Sequence, residues 1–558
     1  MVGRDELLLV FDLTSTLLRA GLGVTDLIRG PLIELPTRVG RMAGKAGTRV
    51  EDFLVGAQLA AAEAVTAAGG TRDFDIVDPI RIDERTGFQV TDWTALEAVF
   101  RYAIHTSLQL QRPPLAHPTV LSLPPSCPPA HVDQLHQLLF ERLLLPQLFV
   151  SSRPFFAAGT AGATDCVVLD LGYRGEGSEV SVVRDNEVYE PASGLRLAAL
   201  DEGVCDDYCA LRIFEADSTI PAQLAAARGG AELAPGELAN ALRRMVGELK
   251  VRDLIELESP LLGVGAGAAG LGAGVAGAAG AAGGGAAAMQ TDGDEGSFDV
   301  AKAIVEGKVQ DIVKKKGKGK EDAATAAADG DDASSEFVRV ANPFAPAPPA
   351  PAATAEIDLT QAQPQDASAT IRIGPARHRY LEPLFVPSVL GALAPSASPA
   401  AAQLALHEYA RYADAGQLPE AGVHEAIGVA LSMVEDAEAR SAVGEVVVVV
   451  SSGRIASNRE WAPRAALGPT LIPLLSPFRS DLAAGYDAEG QSLARPMRYV
   501  RTPEYFANFK ERAGDWAVYL GACIMGKLIL GDPQAKLFMT KADYATKGPS
   551  HYRRLEMI

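Results

Sequence analysis

Two apolar runs in this chain each lead into an aspartate and a tight turn, and that repeat restricts the fold more than any other feature. ELLLV (Glu6–Val10) reads as a short buried strand, followed by Asp12, a hydroxyl-rich turn of Thr14, Ser15 and Thr16, and the basic Arg19. CVVLDL (Cys166–Leu171) reads as a second buried strand carrying Asp170, with Gly172, Tyr173 and Arg174 in its turn. Glu179–Arg184 and Glu187–Tyr189 read as a hairpin behind it. GEVVVVVS (Gly444–Ser451) is a third buried strand, ending in Ser-Ser-Gly-Arg, and Ala517–Leu530 is a strongly apolar helix. Short apolar runs bounded by turn residues fit strands covered on both faces. The expectation is an α/β protein with an internal near-duplication. A strand, an acidic residue and a hydroxyl-rich turn is also a way to hold phosphate, so Asp12 and Asp170 are candidate site residues.

The chain has 558 residues, 48% of them hydrophobic, which at about 150 residues per domain is material for three or four domains. A formal charge of −19 argues against a general nucleic-acid binder, whose affinity comes from clustered Lys and Arg. The five cysteines, Cys127, Cys166, Cys205, Cys209 and Cys523, are few and odd in number, as expected of reduced thiols in cytosol or nucleus. Cys205 and Cys209 form C-x3-C without a second Cys or His pair nearby, so buried thiols on a helix are expected there and no metal site. No secretory leader is expected, because Arg4, Asp5 and Glu6 interrupt the start.

Composition changes between about residues 259 and 368. Leu261–Met289 is uncharged and long enough to raise the question of a membrane span. It is mostly Gly and Ala, which gain little from lipid and lose much backbone entropy on ordering, so a disordered insertion is expected. Phe298–Lys315 reads as a short helix with Val300, Ile304 and Ile312 on one side. Lys314–Lys320 (KKKGKGK) is either a nuclear-import signal or a solvated linker run. A Pro/Ala-rich linker, FAPAPPAPAATA, follows.

Several segments resemble the actin family. They are VTDWTALEAVF (Val90–Phe100), QLLFE (Gln137–Glu141), IRIGPARHRYLEPLFVPSVLG (Ile371–Gly391), GVHEAI (Gly422–Ile427), VYLGACIM (Val518–Met525) and KADYATKGPS (Lys541–Ser550). The resemblance implies an actin-like, two-lobed α/β fold with four subdomains around a nucleotide cleft. Residues 1–150 with 500–558 would form subdomains one and two, 151–258 with 369–499 subdomains three and four, and 259–368 the insertion. The C-terminal stretch is most similar to the fungal actin-related subfamily conventionally numbered nine. That likeness implies a nuclear subunit of SWI/SNF or RSC chromatin remodellers, paired with a second actin-related protein on the helicase-SANT-associated helix of the remodeller ATPase. Two alternatives stand beside it: a dynactin-type or other cytoskeletal actin-related protein, and a weakly active ATPase.

The same resemblance implies a nucleotide site at Asp12, Thr14, Ser15, Thr16, Arg19, Asp170, Gly172 and Gly453, in weakened form. Thr14 and Thr16 stand where the family has glycines that admit phosphate, and β-branched residues resist those conformations. Tyr173 and Arg174 replace an Asp and a Gly. Arg153 falls where the family's Gln orients the attacking water, and a guanidinium cannot accept a proton from water. Asp515 falls on a Lys near the adenine, and Arg454 and Ser457 stand for Thr and Tyr. Loss of catalysis is therefore expected, with no required cofactor, ATP binding weak or absent, and no metal site. Whether Asp12 and Asp170 keep residual affinity or only cap turns stays open from sequence. Ala43–Thr71 is short and Ala-rich where the family has its filament loop, keeping only FLVGAQ (Phe53–Gln58). The family's partner groove maps to Ile524, Met525 and Leu528, with Leu530 and Leu537 beyond and Gly162 and Thr164 opposite. The four-residue spacing of Ile524 and Leu528 suits core packing as well.

Overall fold

The computed structural model describes residues 8–22, 30–67, 70–83, 86–110, 116–173, 175–252, 254–255, 336–345, 369–404, 406, 421–451, 467, 471, 498–500, 509, 512–532 and 536–555. Leu261–Met289, Phe298–Lys315, Lys314–Lys320, Arg174 and the Gly453 turn with Arg454 and Ser457 lie outside them.

Two six-stranded sheets carry the two aspartates. The first runs in the order Met539–Thr540, Gln147–Ser152, Thr119–Leu123, Leu9–Leu13, Leu17–Leu22, Ile33–Pro36. The second runs Glu187–Val188, Ser178–Arg184, Cys166–Leu171, Val446–Ser451, Arg498–Val500, with Leu195–Leu197 also on the Ser178–Arg184 strand. In each, the aspartate-bearing strand is antiparallel to the next strand in sequence and parallel to a later one. The near-duplication is thus one of topology. It is not one of charge: Asp12 faces Arg19 across its hairpin, whereas Asp170 faces Glu179.

Local sequence sets the ends of these elements. Asp92 caps the Trp93–Arg101 helix by accepting from the Ala95 N–H, and Asp201 caps Glu202–Ala216 through Val204. Thr540 caps Lys541–Lys547 in the same way. Asp185 and Asn186, at φ 53° and 63°, make the two-residue turn that joins Ser178–Arg184 to Glu187–Val188. The Arg153–Ala161 helix opens with Pro154 in its first turn and stops at Gly162, which is left-handed at φ 63°.

That helix and Ala513–Gly531 pack between the sheets, in a core shared by Val10, Val120, Phe156, Val168, Val448 and Leu520. Their contact is close because Gly521 lacks a side chain: a Cβ there would lie 1.8 Å from the Phe156 carbonyl oxygen. Further cores sit under each sheet's outer helices.

Several boundaries differ from the sequence reading. The first strand is Leu9–Leu13, so Asp12 lies within it and not after it; its hairpin with Leu17–Leu22 supplies partners that an apolar count over ELLLV ignores. The third strand begins at Val446 and the long helix at Ala513, where the polar first turn hides the pattern. The insertion expected over 259–368 contains the strand Val338–Ala341, paired with Thr370–Ile373, with Val338 and Val340 fully buried. Four residues beside a Pro/Ala-rich stretch are too few to show as an alternating run. The lobe boundary expected at residue 150 falls inside the Gln147–Ser152 strand. Between Ala43 and Thr71 the chain forms the short Phe53–Leu54 strand and the Ala57–Ala67 helix. Among the described residues no helix is long and apolar enough to cross a membrane.

Candidate functional site

The two aspartates meet on one arginine. Arg153, first residue of its helix, is 1% exposed. Its Nη1 donates to Asp12 Oδ1 at 2.5 Å, its Nε to Asp170 Oδ2 at 2.5 Å and its Nη2 to Asp170 Oδ1 at 3.3 Å. The guanidinium fork thus grips Asp170 with two nitrogens and Asp12 with the third. Burial alone would lower the Arg153 pKa. The charges of Asp12 and Asp170, with their hydrogen bonds, outweigh it and hold the group protonated. Among the described residues both carboxylates accept from arginine side chains, and neither accepts from a turn N–H.

The ionic chain continues outward. Arg19 Nη1 donates to Asp12 Oδ2 at 3.2 Å, and its Nε to Glu34 at 3.2 Å. Glu34 also accepts from Arg512 at 2.8 and 3.0 Å and from the Trp516 indole at 3.0 Å. Arg512 in turn lies 3.5 Å from Asp515. Positive and negative groups therefore alternate from Asp170 to Asp515. Burial raises the Glu34 carboxyl, but the Arg512 hydrogen bond, the Arg19 charge and the Trp516 donor lower it further, to about 2. A carboxylate depressed in the folded state contributes stability that is full above its ordinary value of 4.5 and is lost as pH falls toward 2. With screening at this half-buried site, the contribution is about 1–2 kcal/mol. Urea unfolding between pH 7 and 2 is expected to show that loss in the wild type and a shallower one in Glu34→Gln. Equal slopes would contradict this assignment.

On the second sheet, Glu179 is pushed above its ordinary value by burial, and the facing Asp170 adds to the shift. Arg196 lies 3.6 Å from Glu179. Like charges opposite each other on a sheet repel; Arg153 on Asp170 and a Glu179 that is harder to ionise relieve that repulsion.

The two turns also meet. Thr14 closes its own hairpin, its hydroxyl donating to the Leu17 carbonyl at 3.2 Å and accepting from the Leu17 N–H at 3.0 Å. Ser15 Oγ, the Thr16 N–H and Thr16 Oγ1 all donate to Glu176 Oε1, at 2.5, 3.2 and 3.1 Å. The Tyr173 N–H donates to Glu176 Oε2 at 3.1 Å. Gly172 admits this packing, since a Cβ there would lie 1.8 Å from the Gly177 carbonyl oxygen. The space left beside these groups is about 30 Å³, lined by Ser15, Ser126, Asp170, Glu176 and Glu179 among others. That is room for one or two waters. In this arrangement Asp12 and Asp170 are bonded to Arg153, and the turn donors to Glu176.

Among the described residues no group of three or more His, Cys, Asp or Glu side chains could hold a metal ion. Cys205 and Cys209 are fully buried on one helix, and burial pushes both thiols up. Asp515 sits at the far end of the ionic chain, not against the turns.

The groove candidates occupy one end of the helix pair. Ile524, Met525, Leu530 and Leu537 are half-buried against the shared core, and Leu528 is 61% exposed. Gly162 and Thr164 are exposed at the end of the facing helix. Met525 packs across onto that helix, its Cγ 3.0 Å from where a Gly159 Cβ would stand. Glu34, Glu176, Arg512 and Trp516 were not singled out from sequence. The signal for Glu176 is its setting, Gly-Glu-Gly, at the tip of the second turn.

Residues 4–194 match the family model described as Actin. Actin-like protein 7B of Mus musculus is 26% identical over 136 residues, 24% of this chain and 29% of that protein. Actin-related protein 4 of Arabidopsis thaliana is 27% identical over 103 residues, 18% of this chain and 22% of that protein. An actin-like protein of Neurospora crassa is 35% identical over 83 residues, 15% and 21% of the two chains. The matched stretches thus span less than a third of each of these relatives.

Proposed function

This chain belongs to the actin superfamily, and from that premise we propose that it is a non-hydrolysing actin-related subunit of a SWI/SNF- or RSC-type chromatin remodeller. One observation carries the non-hydrolysing part: Arg153 takes both carboxylates, Asp12 and Asp170, that would organise a phosphate-bound metal. Phosphoryl transfer is almost wholly positioning and charge compensation, and here those groups compensate one another. The remodeller part rests on the likeness of the C-terminal segments to the fungal subfamily. The apolar end of the Ala513–Gly531 helix supports it, because half-buried Ile524 and Met525 with exposed Leu528 offer apolar surface for an amphipathic helix to cover. In this reading the chain pairs with a second actin-related protein on the helicase-SANT-associated helix, in the nucleus.

Phosphate release from ATP by the purified chain is expected to be at least about 10²- to 10⁴-fold slower than that of a hydrolysing actin. Turnover comparable to actin's would refute the silence. Affinity purification from the native host, read by mass spectrometry, is expected to recover a remodeller ATPase and a second actin-related protein. Recovery of a dynactin-type assembly instead would refute the remodeller assignment.

A further inference from the structure

We propose that the two turns at the cleft together form an anion site that the chain fills with its own Glu176 carboxylate, clasping the lobes with no nucleotide bound. The inference starts from the donors. Two backbone N–H groups, of Thr16 and Tyr173, and two hydroxyls, of Ser15 and Thr16, converge on one carboxylate. Convergent backbone N–H groups in a turn are a recurrent way of binding phosphate and other anions, and hydrogen bonds to an ionised acceptor are roughly twice as strong as neutral ones. Three of the four donors lie on the other lobe, 160 or 161 residues away in sequence.

The tip that presents Glu176 is built for the purpose. Gly175 and Gly177 flank it at φ 88° and 69°, a backbone that other residues rarely adopt. Asp201 fixes the tip from behind, its Oδ2 accepting from the Gly175 N–H at 2.6 Å and the Gly177 N–H at 3.4 Å, while its Oδ1 caps the following helix. Arg196 adds a second tie, donating to the Glu176 carbonyl at 2.9 Å and to the Asp83 carbonyl on the other lobe. Glu176 itself is 8% exposed. A phosphate-class anion therefore reaches these donors only when the carboxylate leaves them. This does not depend on the remodeller assignment, and it is read by a different experiment.

The test is amide hydrogen exchange on the full chain without nucleotide, followed by mass spectrometry over peptides containing Thr16 and Tyr173. Sodium chloride and inorganic phosphate are compared at equal ionic strength. In the wild type both peptides are expected to exchange slowly and to ignore phosphate. In Glu176→Ala both are expected to exchange about tenfold faster or more, and phosphate is expected to slow them again. Glu176→Gln, which keeps the shape and loses the charge, is expected to fall between. Wild-type exchange in both variants would overturn the clasp. Faster exchange in Glu176→Ala that phosphate does not slow, or an equal phosphate effect in the wild type, would overturn the anion site. Should Glu176→Ala not fold, as judged by circular dichroism, Glu176→Gln decides: unchanged exchange there overturns the proposal.

Discussion

Arg153→Ala is expected to lower the unfolding free energy by about 3–5 kcal/mol, the usual cost of removing one partner from a buried ion pair. The reason is what it leaves behind. The Asp12 side chain is fully buried and that of Asp170 is 11% exposed. Without the guanidinium, among the described residues Asp170 keeps no cation within bonding distance, while Asp12 keeps only Arg19. Arg153→Lys should recover part of the loss, since it restores the charge but not the planar fork that reaches both carboxylates. Asp12→Asn combined with Arg153→Ala should cost less than the sum of the two single changes, because the pair is coupled. Urea denaturation followed by circular dichroism reads all four proteins. A loss below about 1 kcal/mol for Arg153→Ala would show that water, and not Arg153, balances the carboxylates.

Gly521→Val should do comparable damage for a steric reason. The added Cβ would meet the Phe156 carbonyl oxygen at 1.8 Å and the Phe156 carbonyl carbon at 2.6 Å. Both are backbone atoms within a helix, so no rotamer change relieves the contact. The two central helices would have to separate, and with them the core that joins the sheets. Overpacking commonly costs about 1–3 kcal/mol, and a clash with backbone belongs at or above the top of that range. Gly531→Ala is the control: at the exposed end of the same helix, its new Cβ would find nothing within 4 Å. That change should be neutral or slightly stabilising, by up to about 1 kcal/mol. Thermal unfolding midpoints compare the two, and a Gly521→Val protein as stable as Gly531→Ala would contradict the packing described.

The fold was legible where chemistry is local. CVVLDL ends as a strand at the residues where its apolar run ends, and Asp-Asn in a hairpin needs no tertiary information. The candidate site was legible only in part. Asp12, Asp170 and Arg153 each stand out in sequence, but their meeting does not. Arg153 lies 141 residues from Asp12 and 17 from Asp170, and only the folded helix brings it to both strand ends. Glu176 and Glu34 look like ordinary surface carboxylates until their donors arrive from distant segments. The Val338–Ala341 strand was hidden for another reason: its partner strand, not its own pattern, makes it a strand.

The arginine at the centre also has a mechanical consequence. In a two-lobed molecule the seam is the natural axis of bending, and stiffness there depends on what crosses it near the axis. Here one of the crossing elements is a planar cation whose three nitrogens are fixed to the end of a strand in each sheet. A twist applied at the Ile33–Pro36 edge passes through paired backbone to Asp12, across the guanidinium to Asp170, and on to the Arg498–Val500 edge. The joint resists shear in the plane of the fork as well as separation along it. Arg153 thereby ties one strand end of the first sheet to one strand end of the second.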